Sequence, residues 1–344
     1  MRYEKVCLEV AVHILPEEIV TTDEIERQLS PIYDRLHLPF GRLEFMTGIR
    51  ERRLWPRGIR PGQISIQTVK KALERSGVAS ECVGALIHGS VCRDYLEPAT
   101  ACGVHEGVGL SENCQIFDVS NACLGILTAL IQAANMIELG QIQAAIVVGT
   151  EDSRSLLETT ISQMLADETL TRQTIKPFFA SLTIGSGSAA FVLTHRDISR
   201  TGSRILGAEV LANTAFCHLC QSDDSVKDGD AMRTDSETLL IQGVDTARRL
   251  FPRFLDTLSW ERTDISRFFC HQVGKAHQKL LFNTLEINPE LNFSTLEYLG
   301  NTGSAALPTA FSVGLEQGEC QKGDRIACLG IGSGINSLMI GVEL

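Results

Sequence analysis

The chain has 344 residues, of which 44% are hydrophobic and 21% charged, with a formal net charge of −11. It exceeds a typical domain of about 100–200 residues, so two domains or one duplicated core are expected. The acidic balance excludes non-specific nucleic-acid binding, and an anionic substrate such as coenzyme A or a phosphopantetheine carrier needs a local basic patch. The N-terminal Met1-Arg2-Tyr3-Glu4-Lys5-Val6 carries no charged-then-apolar signal pattern. The apolar stretch 122–131 stops at Gln132, short of the roughly 18 residues of a membrane helix. The 11 cysteines are odd in number and irregularly spaced, which fits reduced thiols in a cytoplasm rather than a disulfide framework.

Short apolar runs of strand length alternate with longer amphipathic stretches, the pattern of an α/β protein. Strands are predicted at 85–88, 115–119 and 144–148. Between the last two, 124–139 repeats Leu127, Leu130, Ile131 and Ala134 at helical spacing. That helix is apolar nearly all round, which places it in the middle of the fold. A strand at 188–193, preceded by Gly185-Ser186-Gly187, closes the first half. The second half repeats the plan: strand 205–211, helix 238–254, strand 267–271, helix 275–284 and strand 325–329, closed by Gly330-Ile331-Gly332-Ser333-Gly334. Two α/β halves, 1–195 and 196–344, are therefore expected. Cys217-His218-Leu219-Cys220 has a CxxC spacing, but no second ligand pair stands at comparable spacing for zinc. Gln221-Ser222-Asp223-Asp224-Ser225 reads as a loop, where a redox CxxC wants a helix. Neither a metal nor a cofactor is expected.

Cys123 ends Phe117-Asp118-Val119-Ser120-Asn121-Ala122-Cys123, where a strand turns into the central helix. The helix dipole and unpaired N–H groups there are expected to lower the thiol below the ordinary pKa of about 8.5. The same N–H groups can hold an oxyanion. A buried structural cysteine would suit the local pattern as well; two downstream segments argue against it. These are His271-Gln272-Val273-Gly274 and Gly300-Asn301-Thr302-Gly303. A Cys/His pair alone would suit a protease dyad. An asparagine in a Gly-flanked turn adds a second N–H donor, and two donors toward one oxygen suit an enolate or thioester oxyanion.

With Gly330-Ile331-Gly332-Ser333-Gly334 and Thr47-Gly48-Ile49-Arg50-Glu51-Arg52-Arg53, these segments resemble the ketoacyl synthase III branch of the thiolase superfamily, from about residue 3 to the C-terminus. The resemblance implies two thiolase-like βαβαβαββ halves in a five-layered αβαβα core, usually as a homodimer. It implies that Cys123 takes the acyl group from a thioester and that His271 and Asn301 stabilise the carbanion or enolate of the second substrate. The backbone N–H groups of Cys123 and Gly332 would form the acyl oxyanion hole.

Within that branch, Ser90-Val91-Cys92-Arg93-Asp94-Tyr95-Leu96-Glu97-Pro98-Ala99-Thr100 resembles the OleA enzymes. These join two long-chain acyl-CoAs by a non-decarboxylative Claisen condensation, giving a 2-alkyl-3-ketoacyl product. Their glutamate in this segment crosses the dimer interface and removes the α-proton, which implies that role for Glu97. Initiation synthases carry an apolar residue there, because their carbanion arises by decarboxylation. Residues 52–55 and Ile32-Tyr33-Asp34-Arg35-Leu36 are also similar to OleA. A carboxylate near pKa 4.3 is a weak base for such a proton, so burial that raises the pKa is expected of Glu97. Otherwise Glu97 is a salt-bridged loop carboxylate.

Gly274, Lys275 and Arg42 depart from the family pattern, the last where initiation enzymes place an adenine-stacking tryptophan. The donor is thus an acyl-CoA bound differently, or an acyl group on an acyl carrier protein. Arg50, Arg52, Arg53, Arg57 and Arg60 form a candidate patch for phosphates, or solvated surface charge. The rival readings are a decarboxylating 3-oxoacyl-ACP synthase III using malonyl-ACP, a chain-joining ketosynthase of natural-product assembly, and a non-catalytic partner subunit. The intact Cys/His/Asn set weighs against the last.

Overall fold

The computed structural model describes residues 1–221 and 232–344. Its first half supplies the strands Val6–Ile14 (β1), Val83–Gly89 (β2), Gln115–Val119 (β3), Ala144–Glu151 (β4) and Gly187–His195 (β5). The second supplies Arg204–Ala212 (β6), Arg267–Cys270 (β7), Asn292–Phe293 (β8), Arg325–Gly332 (β9) and Asn336–Glu343 (β10). All ten form one sheet in the order β8-β7-β9-β10-β6-β1-β5-β4-β2-β3. Read outward from the middle, the halves run β1-β5-β4-β2-β3 and β6-β10-β9-β7-β8. In each, the first two pairings are antiparallel and the last two parallel. The duplication expected from the sequence is present as a repeated topology. The halves join through β1 and β6, at the antiparallel pair Cys7 and Arg204.

The helices explain why this sheet needs so many apolar residues. Pro61–Ser76 (α1) and Thr100–Val108 (α2) cover one face of the first half, packing Val69 and Val104 among Leu86, Ile146 and Val148. Gly125–Glu138 (α3) enters the middle of the molecule, and Arg154–Ala166 (α4) packs over a smaller cluster with Ile25, Leu29 and Tyr33. Ser236–Leu258 (α5) and Lys275–Leu285 (α6) cover the second half, with Leu250, Phe254 and Leu281 against Phe268 and Leu329. Ala306–Glu316 (α7) lies beside α3 in a core drawn from both halves, which includes Leu127, Leu130, Val147, Phe311, Cys328 and Ile340. With each five-stranded half of the sheet taken as a layer, the result is five layers: α1/α2, the first half-sheet, α3/α7, the second half-sheet, α5/α6. Helix α3 is apolar on nearly every face because both of its neighbours are protein. Strand β4 is buried along its whole length, and so reads as an unbroken apolar run rather than an alternating one.

Candidate active site

The two central helices begin at the site. A short 3₁₀ turn, Ala122–Leu124, leads into α3 and carries Cys123. Ala122 has φ 45°, in the left-handed region that costs a non-glycine residue about 1–3 kcal/mol and collects at functional sites. Glycine permits the approach beneath it. A Cβ on Gly125 would lie 2.8 Å from the carbonyl carbon of Gly89, and one on Gly89 would lie 2.6 Å from that of Gly125. The end of β2 and the start of α3 therefore touch backbone to backbone. From the other half, a Cβ on Gly332 would meet Leu124 Cγ at 2.9 Å. Gly332, at the end of β9, thus lies against the Cys123 turn, as an oxyanion hole shared by the two requires.

The thiol departs from expectation. Burial, joined by the charge of Glu151 and by Cys220, pushes Cys123 up to about 12. A helix N-terminus contributes at most about 2 kcal/mol, or about 1.5 pH units. Desolvation of the anion at this depth outweighs it. These surroundings favour the Cys123 thiol over its thiolate.

His271 follows β7, and its N–H donates to Leu329 O at 2.9 Å, extending the ladder to β9. Its ring is buried, and burial, with His277 beside it, lowers the imidazole to about 3. His271 is neutral at working pH, and among the described residues its Nδ1 has no protein partner. Asn301 is clamped through its backbone: its N–H donates to Thr183 O at 3.0 Å, and its carbonyl accepts from Gly185 N at 2.9 Å. Its Oδ1 accepts from Gly303 N at 3.0 Å. This fixes the amide orientation and leaves Nδ2 without a protein partner among the described residues. The turn Gly303–Ala305 that follows touches the Cys123 turn, and Ser304 Oγ donates to Gly89 O at 3.1 Å. Gly332 and the turn after Asn301 thus lie against the half-buried Cys123 turn, and His271 is tied by its backbone to β9, the strand that ends at Gly332.

Glu97 does not join them within one chain. It lies in the loop from β2 to α2, whose root is held firmly. Gly62 N donates to Asp94 at 2.7 Å, and Thr100 N and Ala101 N donate to Asp118 at 2.8 and 2.9 Å. The tip is bare: Leu96 is 95% exposed, and Tyr95 and Glu97 are exposed as well. Among the described residues Glu97 has neither a hydrogen bond nor an ion pair, so its own chain supplies neither a salt bridge nor the burial expected for a base.

Of the candidate phosphate patch, one member is withdrawn from the surface and the others have neighbours of their own. Arg52 is fully buried and donates to Val20 O, Thr22 Oγ1 and Leu182 O. Arg50 pairs with Glu297 and Arg57 with Glu158, Arg53 donates to Pro16 O, and Arg60 lies over the Tyr95 ring. Cys217 is exposed and Cys220 half-buried, after a 3₁₀ segment, Thr214–Leu219. Among the described residues no three His, Cys, Asp or Glu side chains could hold a metal. The loop read at 221–225 lies, from Ser222 onward, outside the described residues.

Sequence reasoning missed Glu151 and Ser304. The signal was a carboxylate two residues beyond the apolar run 144–149. Among the described residues no helix is long and apolar enough to cross a membrane.

Comparison with known proteins matches this geometry. Residues 45–201 fit the family model of the thiolase N-terminal domain, and 255–342 that of the 3-oxoacyl-[acyl-carrier-protein] synthase III C terminal. An acyl-CoA:acyl-CoA alkyltransferase of Shewanella oneidensis is 38% identical, over 100% of both chains. One from Xanthomonas campestris is 34% identical over 98% of both. A β-ketoacyl-ACP synthase III of Koribacter versatilis is 24% identical over 85% of each. The crystal structure of a Glu-to-Asp variant of Xanthomonas campestris OleA superposes with a TM-score of 0.95, at 34% identity, over 100% of this chain and 98% of that one. Other OleA structures carry substitutions at a cysteine and a histidine. The substituted glutamate and cysteine stand 26 positions apart in OleA, as Glu97 and Cys123 do here. The chain belongs to the acyl-CoA:acyl-CoA alkyltransferase (OleA) family of the thiolase superfamily.

Proposed function

We propose that the protein joins two fatty acyl-CoAs head to head, by a non-decarboxylative Claisen condensation through an acyl-cysteine. The Cys123 sulfur attacks the first thioester carbonyl while the N–H groups of Cys123 and Gly332 hold the oxyanion. CoA leaves as its thiol, taking the proton that Cys123 gives up. Glu97 of the neighbouring subunit removes an α-proton from the second acyl-CoA. The developing enolate oxygen accepts from neutral His271 and from Asn301 Nδ2. A neutral imidazole has one N–H to give and adds no buried charge of its own, and the amide of Asn301 is already oriented by Gly303. The carbanion attacks the acyl-cysteine carbonyl, the C–S bond breaks, the α-proton held by Glu97 returns to the leaving thiolate, and a 2-alkyl-3-ketoacyl-CoA leaves with Cys123 and Glu97 restored. No metal or cofactor takes part in this sequence.

The observation that carries this reading is the bare carboxylate of Glu97, on a fixed loop at the same spacing from the nucleophile as in OleA. A decarboxylating synthase needs no base there. Homodimerisation belongs to the same proposal. Strand β3 is the sheet edge, its Ile116 is exposed, and edges with apolar side chains invite pairing. A second copy at that edge would cover Tyr95 and Leu96 and give Glu97 the burial its own chain lacks. In this reading the half 1–195 provides nucleophile and base, and 196–344 the enolate donors. Incubation with one acyl-CoA alone, followed by mass analysis, should give the self-condensed product. Carbon–carbon bond formation only when malonyl-ACP is added, with CO₂ release, would move the protein to the decarboxylating synthases.

A further inference from the structure

Glu151 ends β4 with a carboxylate that is 5% exposed and, among the described residues, has no cationic partner. Its four hydrogen bonds all come from donors on either side of the site. Val91 N reaches Oε1 at 3.0 Å and Cys92 N reaches Oε2 at 3.2 Å. Ser304 gives Oε1 both its N–H, at 3.2 Å, and its hydroxyl. The first pair is the root of the loop that carries Glu97. The second adjoins Gly303, whose N–H orients the Asn301 amide. Gly303 also presses on the acid, since a Cβ there would lie 3.2 Å from Glu151 Cδ. One buried side chain thus ties the two segments that must be in register for deprotonation and enolate capture.

The choice of a carboxylate is informative. Glutamine would fit the space, but its NH₂ would face one of these donors, whereas a carboxylate accepts at both oxygens. The fold keeps the charge although it works against the Cys123 thiolate. We propose that Glu151 is a positioning residue that sets the Glu97 loop and the Asn301 turn relative to one another; this rests on the condensation reading above.

The test is Glu151→Gln, followed in two half-reactions: acyl mass gained on Cys123 across pH, and self-condensation of one acyl-CoA. Misregister of about 1 Å at a reacting pair costs on the order of 10²-fold, so condensation should fall by about that factor. Acylation should proceed at pH 7 at least as fast as in wild type, and its pH profile should move to lower pH. The groups bearing on the thiol are Glu151, Cys220 and the N–H of its own turn, and only the first is changed. Ser304→Ala, which removes one donor and keeps the charge, should slow condensation less and leave the acylation profile in place. Wild-type condensation in Glu151→Gln overturns the proposal. So does a fall of both half-reactions in step with an unmoved profile, which marks a structural strut. If Glu151→Gln does not fold, Ser304→Ala decides, and wild-type condensation there overturns the proposal. Wild-type protein that acylates Cys123 but joins no chains is a distinct result, which sinks the condensation reading and this proposal with it.

Discussion

At the residue scale, the site separates two jobs that one histidine performs in many thiol enzymes. Cys123 is held as a thiol by burial, and His271 is held neutral by the same means. Removing a donor with His271→Ala or Asn301→Ala should therefore leave acylation of Cys123 largely intact. Condensation should slow by roughly 10²–10³ in each, as for a single oxyanion-hole donor. Quenched-flow mass analysis of both steps checks this, and equal loss of both would make His271 the thiol's activator. His271 also carries a pH signature. Its folded value of about 3 lies below the usual 6.5, so the unfolded chain binds the proton first. The stability it contributes is complete above pH 6.5 and is lost as pH falls toward 3. Within that window the slope is about 1.4 kcal/mol per pH unit for this one ring. The loss of unfolding free energy between pH 7 and 5, read from urea titrations, should be smaller by about 2 kcal/mol in His271→Asn than in wild type, and an unchanged loss would show that the ring is not buried neutral.

At the element scale, the first turn of α3 is where the fold and the chemistry share one constraint. Gly125 and Gly89 meet backbone to backbone, so neither side can yield by rotating a side chain. Gly125→Ala should destabilise the protein by about 1–3 kcal/mol, as overpacking does. It should also lower Cys123 acylation by tilting the turn away from Gly332. Gly103→Ala, on α2 where a Cβ meets nothing within 4 Å, is the control. Denaturation midpoints and acyl-mass gain on both variants decide the matter, and wild-type values in Gly125→Ala would show that the contact relaxes freely.

At the scale of the whole molecule, the proposed action of Glu97 across an interface would make the active unit a pair of chains. Purified mixed dimers of Glu97→Gln and Cys123→Ala protomers hold one site with both wild-type groups if the glutamate acts across the interface. They should recover about half of wild-type condensation, because one of the two thiols is intact. No recovery in dimers shown to form would refute action in trans.

Much of this was legible in the chain itself. Local physics decides a buried strand or a central helix, so 144–148 and 124–139 fall within three residues of Ala144–Glu151 and of the turn and helix 122–138. The order Cys123, His271, Asn301 and the small-residue turn at Gly332 are likewise properties of short segments, each with its own chemical logic. Tertiary structure alone decided the rest, because it depends on what each group is buried against. A thiol beside a helix end can be raised or lowered, and depth, with Glu151 beside it, raised Cys123. Five arginines in a run look like a phosphate patch until Arg52 is seen to vanish into the core and its neighbours to find carboxylates, a carbonyl and a ring. Glu151 carried no motif at all, since its meaning lies in Val91, Cys92 and Ser304, partners that only the closed fold brings to one carboxylate.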